Sequence, residues 1–188
     1  MTIQRSHLVP LALAVAVLTA GCGEATTGAG TAASASPQAQ ADQVALSDQD
    51  RIWMKRIHQG YLAETRAGGL AERKGASAAV KELGTKLVSA HTDLDAELTQ
   101  AAARLGVELP SALSGAQEKA GKALEGASRE EFDRAFVTAI RKQHATALKE
   151  TRTELKKGSS PEVKAMATSA LAVLRHHVLL TKTALNKD

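Results

Sequence analysis

"LVSAHTDLDAEL", Leu87 to Leu98, sets Leu87, Leu94 and Leu98 at helical spacing and puts an imidazole, His91, on the same stripe. Outward from it the stripe runs Val80, Gly84, Leu87, His91, Leu94, Leu98, Ala101 and Leu105. Every step is three or four residues, as one buried helix face requires, and predicts a helix from near Ser77 to Gly106. An earlier helix is expected from Ser47 or Asp48 to near Gly75, with Trp53, Ile57, Gly60 or Tyr61, Glu64, Gly68 and Ala71 inward. "SREE", Ser128 to Glu131, reads as a capping box. It opens a third helix with Phe132, Phe136, Ile140, His144, Ala147 or Leu148, Thr151 and Leu155 on its stripe, and Gly158 ends it. "SSPE" opens a fourth, with Ser160 as cap and Pro161 where its missing amide costs nothing. Its stripe is Val163, Met166 or Ala167, Ala170, Leu174, His177, Thr181 and Ala184.

These patterns predict an all-α domain. It is rich in Ala, Leu, Lys, Glu, Arg and Gln, its only prolines are Pro110 and Pro161, and no strand-like alternation of any length appears. Four amphipathic helices, each hiding one face, pack as a four-helix bundle. Gly106 to Ala127 is too long for a tight turn. A short helix near Gln117 to Leu124 would let it cross the bundle, giving a ferritin-like up-down topology with a long crossover between the second and third helices. The alternative is a surface loop in a simple up-down bundle.

The N-terminus reads differently. Arg5 precedes an apolar run from Leu8 to Leu18, and then "LTAGC". The run is too short to span a bilayer and reads as a secretory signal over residues 1–21. Thr19, Ala20, Gly21 and Cys22 resemble a bacterial lipobox, with Thr19 where leucine is commoner. Cys22 is the single cysteine and can form no internal disulfide, which fits lipidation; the alternative is an incidental cysteine in a discarded leader. Two acyl chains make a stable anchor, at about 0.8 kcal/mol per buried methylene. Residues 22–47 are Gly, Ala, Ser, Thr and Gln rich and read as a disordered tether of roughly 25 to 30 Å reach. Residues 48–188 form the helical domain, expected on the outer face of the plasma membrane or the periplasmic side.

Without Arg5, Glu24 and Asp42, the chain's 24 basic and 20 acidic residues become 23 against 18 over residues 48–188. These charges are interspersed, and the chain has only one Trp, one Tyr and two Phe. There is neither a basic stripe nor a stacking platform, so no nucleic-acid partner is expected. The membrane, through the Cys22 anchor, is the expected partner. The sequence names no protein or cell-wall partner.

The run Asp50 to Trp53, Glu64 with "GLA" at Gly69 to Ala71, "VKELGTKLVSAHTDLDAEL" from Val80, "GVELP" at Gly106 to Pro110, "EFDRAFVTAIRKQH" from Glu131 to His144 and "LRHHVLLTKTAL" from Leu174 to Leu185 resembles the bacterial domain-of-unknown-function 4142 family. The resemblance covers Asp48 to Leu185 and implies a ferritin-like helical fold, usually exported, with no established activity. Ala90 stands where relatives carry an acid beside the first histidine, and Gln143 precedes His144.

Glu64, His91, His144 and His177 each fall on an inward stripe near a helix midpoint. With the first and fourth helices running the same way, all four share one layer or two adjacent layers. Three imidazoles and a carboxylate are a plausible shell for zinc, copper or iron. The alternatives are a metal-free network in which the carboxylate accepts from ring nitrogens, and histidines at the bundle's edge reaching water. Val88, Arg141 and Leu174 stand three residues before the histidines, so the diiron Glu-x-x-His signature is missing. His58 and His176 flank the stripes and are expected at the surface, with His176 the fallback ligand. Trp53, Phe132 and Phe136 are read as core, and Asp93, Asp95 and Glu97 as solvated.

No nucleophile elbow, phosphate loop or carboxylate pair appears, so no catalytic residue is assigned and the reading leans away from an enzyme. The leading expectation is a lipid-anchored binding or interaction domain at the cell envelope. The alternative is an envelope metal-binding protein using the His/Glu cluster.

Overall fold

The computed structural model describes residues 45–185. The expected leader, Cys22 and most of the tether lie outside them. Among the described residues there are five helices and no strand: α1 (Asp48–Lys74), α2 (Ala78–Arg104), α3 (Gly115–Gly126), α4 (Arg129–Lys157) and α5 (Pro161–Leu185). None is long and apolar enough to cross a membrane.

The helix ends follow from local chemistry. Ser47 and Asp50 close a capping box at the start of α1, and Ser114 and Gln117 do so at α3. The expected box at Ser128 is only half formed. Its hydroxyl accepts from the Glu131 amide, but the Glu131 carboxylate takes the hydroxyl proton instead of reaching the cap's own amide. α2 ends on Gly106 at φ 64°, with Val107 N–H bonded to Ala102 O and Gly106 N–H to Ala103 O. That is a Schellman ending, and glycine is needed for its left-handed turn.

Cross-helix pairs give the directions. Trp53 meets Thr151 and Gly60 meets Gln143, so α1 and α4 run antiparallel. His58 meets Asp95 and Gly68 meets Gly84, so α1 and α2 do too. α5 packs on α2 and α4, with Arg104 against Glu162 and His91 against His177. α2 and α4 therefore point the same way, and the segment between them must travel back along the domain. α3 does this alongside α1: Gln117 bonds Gln59 O, Arg66 reaches Glu118 and Glu125, and Lys74 reaches the carbonyls of Glu125 and Ala127. The expected short helix thus exists and is longer than Gln117 to Leu124.

Two apolar clusters fill the interior. One holds Leu83, Leu87, Phe132, Phe136 and Ile140; the other holds Trp53, Met54, Leu98, Val163 and Ala170. Between them lies a polar layer. One to two turns from that layer α1 and α2 touch backbone to backbone: a Cβ on Gly68 would meet Gly84 O at 2.7 Å, and one on Gly84 would meet Gly68 O at 2.7 Å.

Each tight hairpin turn is held by an acid from the other hairpin. Asp133 of α4 accepts from the amides of Ala76 and Ser77 in the α1–α2 turn, at 2.9 and 2.8 Å. Asp50 of α1 does the same for Ser159 and Ser160 in the α4–α5 turn.

Candidate metal centre

The polar layer is made of the four residues expected from the stripes. Glu64 from α1, His91 from α2, His144 from α4 and His177 from α5 are all at least 98% buried. The ring centroids of His91 and His177 are 5.1 Å apart, those of His144 and His177 5.4 Å, and those of His91 and His144 6.0 Å. One nitrogen from each ring lies within 4.8 Å of the others. No other group of three His, Cys, Asp or Glu side chains is so placed among the described residues. Glu64 Oε2 closes one side, 3.2 Å from His91 Nδ1 and 3.5 Å from His144 Nε2. Tyr61 stacks on His91 at 5.2 Å.

Helix geometry explains the meeting. The α1–α2 and α4–α5 turns are short, so midpoints of paired helices face each other, and the glycine contact draws α1 against α2 beside Glu64. Tyr61, not Gly60, takes the inward position.

The hydrogen bonds inside the layer are the telling feature. His144 Nδ1 donates to Ile140 O at 2.9 Å, which fixes its tautomer and leaves the Nε2 lone pair facing inward. Glu64 Oε2, both nitrogens of His91, His144 Nε2 and His177 Nδ1 are buried without a hydrogen-bond partner in the protein. The contacts of Glu64 with His91 and His144 are close but misaligned as hydrogen bonds. A self-contained network would pair the carboxylate with ring N–H groups, and this one does not. Each buried orphan costs about 1 to 3 kcal/mol.

Burial dominates the titration of the layer. It pushes Glu64 well above the ordinary carboxylate range. It also drives the histidines down: His91 far below its ordinary range, helped by His177 and His144, and His144 to about 4 against the bond to Ile140. His177 falls to about 4 through burial and then through its neighbours His144 and His176. The protein alone favours neutral imidazoles with lone pairs available, which is the form a metal takes. A cation among them would also hold Glu64 ionised. A tetrahedral zinc-type shell places donors roughly 3.4 Å apart. To take such an ion the donor triangle would close by on the order of 1 Å.

Other expectations need correction. His58 is not a surface residue: it is 9% exposed, with Nδ1 2.6 Å from Asp95 Oδ1 and Nε2 3.1 Å from Pro110 O. The connection after α2 covers it, which no helix periodicity could show. Asp95 is accordingly engaged and half buried, not solvated like Asp93 and Glu97. His176 is exposed, so the fallback ligand is not needed. Trp53, Phe132 and Phe136 are core as expected. An apolar groove of about 520 Å³ runs over the exterior between α1, α3 and α4. Two buried acids, Asp50 and Glu154, were missed. Only the serine three residues before Asp50 hinted at one of them.

The family model for the domain of unknown function DUF4142 matches residues 35–183. The chain belongs to that family. Its fold resembles the crystal structure of a DUF305 fragment from Deinococcus radiodurans, with a TM-score of 0.69 at 14% identity, over 76% of this chain and 99% of that one. At that identity the likeness speaks for the helical fold. No curated protein matches significantly.

Proposed function

We propose that this protein is a transition-metal-binding protein of the cell envelope. In this reading its four long helices form a four-helix bundle in ferritin-like order, with α3 in the crossover, around a site for one ion. His91, His144 and His177 supply the nitrogen donors and Glu64 the negative charge. Cys22 carries the lipid that holds the domain at the membrane, through the segment to Ser47.

One observation carries the metal reading: one nitrogen from each of three histidines on three helices converges within 4.8 Å beside Glu64, and five polar atoms of these four residues are buried with no hydrogen bond within the protein. The helix directions described above support the ferritin-like order. The single acid supports one ion and not two, because diiron proteins of this architecture add a Glu-x-x-His pair. The residues three before the histidines are Val88, Arg141 and Leu174. Imidazole-rich shells suit copper, zinc and iron. The apolar run and the lipobox-like tetrad that ends in Cys22 support the envelope reading.

The test is titration of the metal-stripped protein with each of these ions. Uptake of about one ion per chain is expected. A ligand at a hundred times its dissociation constant adds about 2.7 kcal/mol, a melting rise on the order of 7 to 10 °C for a domain of this size. Absence of uptake and of any melting shift with all three metals would leave a metal-free interaction domain.

A further inference from the structure

Far from the histidines, two carboxyl groups are buried together where α1 begins. Asp50 and Glu154 are both fully buried, and Glu154 lies ten residues, about 15 Å of helix, beyond His144. Asp50 is saturated with donors. Its Oδ2 accepts from Ser47 N–H at 2.7 Å and from the Ser47 hydroxyl, and lies 2.7 Å from Ser159 Oγ. Its Oδ1 accepts from the amides of Ser159 and Ser160 at 3.1 and 3.2 Å. Glu154 is the reverse. Its Oε2 accepts from Gln49 Nε2 at 3.1 Å, while its Oε1 is buried without a partner that donates to it. The two acids border one small space beside Gly158, where a Cβ would run into both Glu154 Oε1 and Asp50 Oδ1, and their carboxyl groups are within hydrogen-bonding reach of each other. Two ionised carboxylates in such contact repel strongly, whereas one shared proton turns the contact into a hydrogen bond.

We propose that Asp50 and Glu154 form a proton-operated clasp. With a proton on Glu154, the pair locks the first residues of the domain onto the α4–α5 turn; loss of that proton to solvent loosens both. The segment held is the one through which the chain enters the domain, since Ser159 Oγ also lies 2.8 Å from Ala45 O and accepts from Ser47 N–H at 3.0 Å.

The groups facing Glu154 are Asp50 and Gln49 of α1 and Lys164 of α5. Burial and then the hydrogen bond to Asp50 raise Glu154 to about 7, against Gln49 and Lys164. For Asp50, burial acts upward, but bonds from Ser47, Ser159 and Glu154 outweigh it and hold it below the ordinary carboxylate range. The proton therefore belongs on Glu154. A group raised in the folded state stabilises it at low pH, so the clasp should weaken as pH rises through about 7.

The experiment follows the amide signals of Ser47, Ser159 and Ser160 in the purified protein from pH 5.5 to 8.5. They should move together in one step near pH 7. Glu154→Gln keeps a donor toward Asp50 at every pH, so the step should vanish with the amides in their low-pH positions. At pH 8.5 their hydrogen-exchange protection should exceed that of the unsubstituted protein about tenfold or more. Flat amide signals in the unsubstituted protein, or a step that persists in Glu154→Gln, would overturn the proposal.

Discussion

Glu64 and Asp50 are both carboxylates on α1 buried to within 2% of complete, and the protein treats them in opposite ways. Around Asp50, donors from three backbone amides and a hydroxyl converge, and the charge is kept. Around Glu64 there are imidazoles with lone pairs to offer and no aligned donor, and the carboxyl is driven toward its neutral form. A carboxylate oversupplied with donors is architecture, joining the start of one helix to a turn over a hundred residues away. One surrounded by other acceptors is what the proposed cation site would require.

The largest effect that could break this contrast is at His91. His91→Leu should lower metal affinity by about a thousandfold, roughly 4 kcal/mol, in competition titrations. The metal-free protein should melt no lower than the unsubstituted one, because two orphaned nitrogens leave with the ring. A lower melting point in the metal-free variant would mean that the ring already has satisfying partners. Next comes Asp50→Ala, which strands the amides of Ser47, Ser159 and Ser160 and should cost about 3 to 5 kcal/mol in urea unfolding.

Acid sharpens the same contrast. His144 and His177 are depressed to about 4, so between there and the unfolded value near 6.5 the unfolded chain binds more protons. Metal-free stability should therefore fall as pH drops through that window. Glu64 and Glu154 are raised and act the other way. Melting curves are best run in the Glu64→Gln, Glu154→Gln double variant, and a flat profile from pH 7 to 4.5 there would contradict burial of neutral histidines. Glu64→Gln alone should weaken metal binding by about 10- to 100-fold and leave the fold intact. The smallest effect is at the exposed Arg104–Glu162 pair, where Glu162→Gln should cost under about 0.5 kcal/mol.

The central layer was legible in the sequence because it depends on periodicity and helix length alone. His91, His144, His177 and Glu64 interrupt otherwise apolar stripes, and tight turns bring midpoints together. The Asp50–Glu154 corner was not legible, because burial at a helix end depends on what the chain does elsewhere. Asp50 looks like any acid placed in a first turn to meet the helix dipole, and Glu154 like any glutamate beside lysines. Only the fold of Gly158 to Ser160 over them makes them interior. His58 was misplaced for the same reason, since its cover comes from Pro110 rather than from its own helix.

The backbone contact between Gly68 and Gly84 has a mechanical consequence. One turn from Glu64 and two turns from His91, it sets the closest approach of α1 and α2, so any side chain larger than glycine at either position would push the helices apart and shift Glu64 relative to His91. No glycine of α4 or α5 makes such a contact beside His144 or His177, so in the proposed metal site any adjustment to the size of an ion falls to those two helices and their side chains.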